Sequence, residues 1–308
     1  MQNIPLICII GPTASGKTHL AVQVANAING EIISADSRQV YRKMDIGTGK
    51  DLNEYNIAGK IIPYHLINIV DAGYQYNVYE YQRDFQVVYA DILHRKRVPV
   101  LCGGSGMYIE SVLDTTYRLE YVPENEMFRK ETENDTMEEL TAKLKSCKSL
   151  HNNTDILDRK RLIRALEIAL YYEQNPQNQF DRPINYQLFY LAFERSVLRE
   201  RVSLRLKQRL ENGMIEEVKS LLDSGLSMDE LFYYGLEYRF ISQYITGKMD
   251  YETMVSKLCI AIGQFAKRQQ TWFARMRRKG FSMIDIDGSL PDEQKVNKIL
   301  GLNSFLTV

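Results

Sequence analysis

The sequence predicts an α/β protein: a parallel sheet flanked by helices, with an inserted all-helical domain and a helical C-terminal region. Three observations predict it. Short β-branched apolar runs alternate with helix-forming stretches over the first hundred residues, as in a parallel sheet covered on both faces. Between about residues 115 and 185 the texture turns polar and helical. A strand-like run then resumes at 187–193, so the helical block reads as an insertion between residues 1–115 and 186–308.

Residues 4–10 are almost wholly apolar, as a strand buried on both faces should be. Residues 31–34, 65–70 and 98–102 repeat the type, and 18–28 and 79–94 read as helices between them. In the insertion, 132–148 is helix-forming, and 155–172 is amphipathic with Leu162, Leu166 and Leu170 four apart. Residues 174–183 are a loop by composition. Beyond the last strand the chain reads as mostly helical, over about 197–222 and 251–279. Met254, Leu258, Phe265, Trp272 and Met276 form the expected buried stripe of the long final helix, and Trp272 is read as core.

Composition sets limits. The 308 residues carry 39 basic and 39 acidic side chains, and 44% are hydrophobic against 25% charged. That balance excludes an intrinsically disordered chain. Any grip on a polyanion must be local. No apolar run is long enough to span a membrane, and the first residues lack the positive segment of a secretory leader. Four scattered cysteines suggest neither a disulfide frame nor a zinc site. A cytoplasmic protein is expected, with a monomer as the working state. The four histidines (19, 65, 94 and 151) lack metal-ligand spacing.

In open parallel sheets ligands bind beyond the carboxyl ends of the strands. After the first strand stands Gly11-Pro12-Thr13-Ala14-Ser15-Gly16-Lys17-Thr18, which fits GxxxxGK[ST] ahead of a helical segment. Its amides and helix N-terminus can cradle phosphate, Lys17 adds a cation and Thr18 can ligate Mg²⁺. Chance alone places this pattern in about 1 in 100 chains of this size. The sheet is therefore expected to be of the P-loop NTPase type. After the second strand comes Ser34-Ala35-Asp36-Ser37-Arg38-Gln39-Val40-Tyr41. Asp36 there could hold Mg²⁺ through water or accept a proton from a nucleophile. It could equally cap a helix.

Basic residues cluster at Arg159, Lys160, Arg161 and Arg164, either a phosphate-binding patch or a solvated face. Arg201, Arg205 and Arg209 recur every four residues on one helix face, where like charges repel and an anionic partner would relieve them. Pairing with Glu200 or Glu211 is the plain alternative. The last long helix adds Lys267, Arg268, Arg275, Arg277, Arg278 and Lys279, a run without acidic residues between Gln264 and Gly280 that could likewise meet a polyanion.

The phosphate loop, the run through Arg42, then Met44-Asp45-Ile46-Gly47-Thr48-Gly49-Lys50 resemble the opening of the tRNA dimethylallyltransferases, the IPP transferase family. The likeness continues through His65-Leu66-Ile67-Asn68-Ile69-Val70-Asp71 and Gly103-Gly104-Ser105-Gly106-Met107-Tyr108. It reappears at 158–167 and at Ala266-Lys267-Arg268-Gln269-Gln270-Thr271-Trp272-Phe273. The resemblance implies transfer of a dimethylallyl group from dimethylallyl diphosphate to N6 of adenosine 37 in a tRNA anticodon loop, with Mg²⁺ as cofactor. It implies that Gly11 through Thr18, with Arg205, hold the diphosphate and that Asp36, Ser105 and Lys17 are catalytic. Asp36, Ser37, Arg38, Gln39 and Ser105 would meet the flipped base and its neighbours. Arg129 (with Lys130 as the alternative register) and the run Lys160, Arg161, Leu162, Ile163, Arg164 would contact tRNA. A small-molecule kinase and an adenylate isopentenyltransferase are the competing readings. The chain departs from the family pattern in three places. Ser105 replaces a threonine, and Gly106 beside it is expected to leave the turn free to bend. Gly263 replaces an arginine. The Gly-Tyr-Lys region reads Tyr234-Gly235-Leu236-Glu237-Tyr238-Arg239.

Overall fold

In a computed structural model the chain is described over residues 4–114, 121–147, 156–175 and 184–303. Its elements run β1 (Leu6–Ile10), α1 (Lys17–Ala27), β2 (Gly30–Ala35), a small hairpin β3 (Asn56–Ile57) and β4 (Lys60–Ile61), β5 (Tyr64–His65), α2 (Val78–His94), β6 (Val98–Gly103) and α3 (Gly106–Leu113). Then follow α4 (Glu126–Glu131), α5 (Met137–Cys147) and α6 (Arg159–Gln174). The chain closes with β7 (Tyr186–Ala192), α7 (Arg195–Glu211), α8 (Met214–Asp223), α9 (Met228–Tyr234), α10 (Leu236–Ile245), α11 (Tyr251–Arg278), β8 (Met283–Asp287) and α12 (Asp292–Gly301). Contacts divide it into two compact units, Met1–Tyr117 with Pro183–Val308, and Arg118–Arg182.

In the first unit six strands form one sheet in the order β5-β2-β6-β1-β7-β8. Every neighbouring pair is parallel. Each residue of β1, β2 and β6 is buried, which is why those runs read as continuously apolar rather than alternating. One apolar layer joins Ile7, Ile9, Leu20, Val24 and Phe189 beneath α1, and a larger one joins Leu6, Cys8, Tyr81, Phe85, Leu258 and Phe273 on the opposite face.

Four elements differ from the sequence expectation. The run 65–70 is a strand only at Tyr64–His65, because Leu66 and Asn68 take positive φ (61° and 57°). The rest holds the loop after β2, with Ile69 N donating to Val40 O (2.8 Å) and Arg42 N to Val70 O (2.8 Å). Residues 197–222 form two helices instead of one, broken at Gly213, whose φ of 95° is left-handed. Strand β8 is an unforeseen sheet edge. In α11 the buried stripe is Met254, Leu258, Ile262, Ala266, Gln269, Phe273 and Met276, whereas Phe265 is exposed and Trp272 only half-buried. The Trp272 ring still packs on the core and carries the Arg275 guanidinium over its face at 3.9 Å. A Cβ at Gly106 would meet that ring at 2.2 Å, so glycine is required there by close approach, not by freedom to bend. Gly263 faces open space. Gly263→Ala is therefore expected to stabilise by about 0.5–1 kcal/mol in a denaturant titration.

The second unit packs Leu140, Leu144, Leu162, Ala165 and Leu166 into a small core. Asp158 caps α6 by accepting from Arg161 N. The buried Glu167 carboxylate gathers Arg129 (2.7 Å), Arg164 (2.8 Å) and Asn125 N (3.0 Å). Burial pushes its pKa up, but the bonds from Arg129, Arg164 and Asn125 together push it further down. A carboxyl whose folded pKa is depressed contributes fully above its unfolded value, and the contribution disappears as pH falls through the folded one. The stability gap between the parent and Glu167→Gln should thus close on acidification below the ordinary glutamate range, as chemical denaturation across pH 3–6 would read. The loop expected over 174–183 lies outside the described residues from 176 onward. So do His151 and the ends of the two helical stretches predicted at 132–148 and 155–172.

Candidate active site

Phosphate-binding geometry begins where β1 ends. The loop turns left-handed at Ala14 (φ 61°) and Gly16 (φ 82°), which brings its amides around one concavity ahead of α1. Two side chains from distant elements hold it. Arg201 Nε of α7 donates to Ala14 O at 2.8 Å. Gln269 of α11, itself buried, accepts from Thr13 N at 2.8 Å and donates to Gly104 O at 2.9 Å, tying the loop to the end of β6. Within the loop Lys17 Nζ reaches Pro12 O at 3.3 Å. Burial lowers the Lys17 pKa first, Cys102 and Asp36 oppose that, and Arg205 and Arg209 lower it again. The buried Ser15 hydroxyl has no hydrogen-bond partner among the described residues. Thr18 meets the Cys102 thiol, which burial pushes up to about 12, so that partner is neutral.

Asp36 follows β2 directly. No helix begins there, so the capping alternative falls away. Instead Asp36 Oδ1 accepts from Arg38 N at 2.9 Å in a tight turn, leaving Oδ2 without an intrachain bond among the described residues. Ser105, just past the end of β6, stands at the N-cap of α3, but its side chain makes no capping hydrogen bond. Its Oγ accepts from Ser37 N (2.9 Å) and donates to Ser37 Oγ (3.3 Å). The serine hydroxyl thus locks the ends of two adjacent strands together. Gln39 is buried and its amide links Ser34 Oγ (3.2 Å) to Gly49 O (3.1 Å), so it supports the loop rather than presenting its side chain to a base. The Arg38 guanidinium lies 5.1 Å from the Tyr233 ring centroid.

A second loop, residues 44–50, closes this side. Glu217 of α8 accepts from Asp45 N (2.8 Å), Ile46 N (2.7 Å), Gly47 N (2.9 Å) and Tyr238 Oη (2.8 Å). The fully buried Lys50 ammonium is satisfied by Tyr41 O (2.6 Å), Asp45 Oδ1 (2.6 Å) and Asn68 Oδ1. Arg205 pairs with Asp51 and approaches Gly49 O at 3.4 Å, so neither Glu200 nor Glu211 is its partner. Sequence reasoning missed Arg201 as a loop holder, Gln269 and Glu217. Gln269 had a signal, since it lies in the quoted run after Ala266, and Arg201 had one in the arginine row of α7; Glu217 had none.

The basic patches sort differently. In the second unit Lys160 and Arg161 are exposed, Leu162 is core, and Ile163 is half-buried. Arg159 clamps Thr132 O (2.6 Å) and Glu133 O (2.9 Å), while Arg129 and Arg164 share Glu167. Lys130 is exposed. On α11 and at its C-cap, Arg275 and Lys279 pair with the buried Glu110, and Arg277 pairs with Asp285. Lys267, Arg268 and Arg278 form no ion pair among the described residues.

The IPP transferase family profile matches residues 39–278. The chain belongs to the IPP transferase family. A Bacteroides fragilis protein named tRNA dimethylallyltransferase 2 is 53% identical over 298 residues, which cover 96% of this chain and 97% of that protein. The crystal structure of the full-length tRNA isopentenylpyrophosphate transferase from Bacillus halodurans is 31% identical with a TM-score of 0.71, covering 99% of this chain and 97% of that one. A eukaryotic dimethylallyltransferase acting on tRNA shares the fold at a TM-score of 0.76 and 21% identity, over 98% of this chain and 77% of its own. In this family member the phosphate loop and Asp36 precede the matched span, yet β1, β2 and β6 bring them beside Ser105, and α11 adds Gln269. No helix of the described residues is long and apolar enough to cross a membrane.

Proposed function

We propose that the protein transfers the dimethylallyl group of dimethylallyl diphosphate to N6 of adenosine 37 in the anticodon loop of tRNA, releasing diphosphate. The observation that carries this reading is the convergence, at the carboxyl ends of the parallel strands β1 and β2 on either side of β6, of an anion cradle with Lys17 and a carboxylate with one free oxygen on Asp36. Relatives named tRNA dimethylallyltransferase support the transfer to tRNA.

The adenine N6 is a weak nucleophile because its lone pair is delocalised into the ring. As its bond to the allylic carbon forms, Asp36 Oδ2 accepts the proton that N6 must lose. The breaking C–O bond leaves negative charge on the diphosphate, opposite Lys17 and the amides of Ala14 and of Gly16 through Thr18. Ser105 acts here through Ser37, fixing the backbone beside the base, and Arg38 flanks it. Thr18 offers the hard oxygen donor that suits Mg²⁺, which usually takes one or two protein oxygens and completes its shell with phosphate and water. When bound, the ion would neutralise charge on the leaving group. We assign contact with the tRNA backbone to Lys130, Lys160 and Arg161, which are exposed on the second unit, whereas Arg129 and Arg164 engage Glu167 and Leu162 lies in its core.

Incubation with labelled dimethylallyl diphosphate and an anticodon stem-loop bearing adenosines at and beside the target, followed by nucleoside analysis, tests the reading. Label on N6 of the target alone is expected. ATP turnover without RNA would favour a kinase, and equal prenylation of AMP would favour a nucleotide acceptor. Reversing Lys160 and Arg161 to Glu should weaken RNA binding and flatten the plot of log K against log salt by about two counterions' worth of slope. An unchanged slope would remove that face from the interface.

A further inference from the structure

Arg209 has no role in the reading above. It lies one turn beyond Arg205 on α7, and its side chain is only 12% exposed. Its Nε is buried without a partner, and the guanidinium donates no hydrogen bond to any described residue. The nearest carboxylate, Glu237 Oε1, stands 3.7 Å away, close enough for charge but too far for a hydrogen bond. A buried guanidinium left with unmade hydrogen bonds is costly, which is why such groups are normally paired in full.

Its surroundings make the arrangement more specific. A Cβ placed on Gly49 would collide with Arg209 Nη2 and lie 3.0 Å from Arg205 Nη2, so two guanidinia converge on one bare backbone face. Gly49 has φ 64° as well, a second reason for glycine there. Both guanidinia act on Lys17, whose pKa they lower alongside burial. Burial and the Arg205 charge likewise lower the pKa of Arg209, whereas burial raises that of Glu237. Three cations, Lys17, Arg205 and Arg209, thus gather here with only Asp51 and Glu237 to offset them, and an anion of several charges would relieve the rest.

We infer that Arg209 is a binding residue for the diphosphate of the prenyl donor, donating from α7 to the phosphate oxygens that the loop amides and Lys17 do not reach. This rests on the proposed prenyl transfer, and pyrophosphate as probe separates the two. The unmodified chain should bind inorganic pyrophosphate in calorimetry. Arg209→Met should weaken that binding about 10- to 100-fold, the range for a lost charge-assisted hydrogen bond. It should raise KM for the prenyl donor and leave KM for the RNA acceptor unchanged. Arg209→Gln keeps a neutral polar side chain at this position and should lose pyrophosphate affinity to a similar degree, which decides the matter if the methionine variant fails to fold. Pyrophosphate affinity within twofold of the parent in a folded variant would overturn the inference, as would a loss confined to RNA affinity. Failure of the unmodified chain to bind pyrophosphate would overturn the reading of the phosphate loop itself.

Discussion

Asp36→Ala is expected to lower prenyl transfer about 100- to 10,000-fold while pyrophosphate still binds, the range for loss of a positioned general base. The split follows from geometry. Asp36 sits at the end of β2, one oxygen held by Arg38 N and the other free, whereas the anion cradle is formed by the loop after β1 and by side chains from α7 and α11. Asp36→Asn keeps the turn, because an amide oxygen can still accept from Arg38 N, but it cannot take a proton. The two variants should therefore be equally slow if the carboxylate acts as base. Recovery of most activity in Asp36→Asn would make the turn the residue's whole contribution. Loss of pyrophosphate binding in both would assign Asp36 to the anion site instead.

Glu217→Ala should be the most damaging single change outside the reacting groups. Its carboxylate accepts three consecutive backbone amides and the Tyr238 hydroxyl. Removing it strands all four donors, of which Gly47 N and Tyr238 Oη belong to buried residues. With about 1–3 kcal/mol for each unsatisfied buried donor and less for those that water can reach, the loss should be about 2–5 kcal/mol. The functional effect is distinct from the stability effect. Loop 44–50 presents Gly49 to Gln39, Arg205 and Arg209, so KM for the prenyl donor should rise even at temperatures where the variant is fully folded. Thermal denaturation and steady-state kinetics on one preparation would separate the two. A lowered melting temperature with an unchanged KM would make Glu217 purely structural.

Residues whose meaning is local were legible without coordinates. The glycine spacing at 11–18 specifies a phosphate loop because the turn depends on backbone angles at those positions. Strands β1, β2 and β6 were recognisable because burial on both faces leaves an unbroken apolar run. Strand β8 was not: in Met-Ile-Asp-Ile-Asp the alternate acids match an edge strand but equally a polar turn. The run 65–70 looked like a longer strand because its apolar residues are used to brace a loop, a purpose that composition does not distinguish from sheet pairing.

Charged side chains show the opposite case. Arg129, Arg159, Arg164, Arg275, Arg277 and Lys279 all looked available to RNA, yet carboxylates and carbonyls of the protein engage each of them. From the sequence alone came the nature of the chemistry: a phosphate loop ahead of a helix, an acid after the next strand and a helical insertion, since each is written in neighbouring residues. Tertiary structure alone decided which cations remain free, that Gln269 and Glu217 shape the site, and that Arg209 stands buried beside it. The physical reason is distance along the chain. A hydrogen bond or ion pair between groups 150 or more residues apart leaves no trace in either local sequence, because only the packed fold brings donor and acceptor within reach.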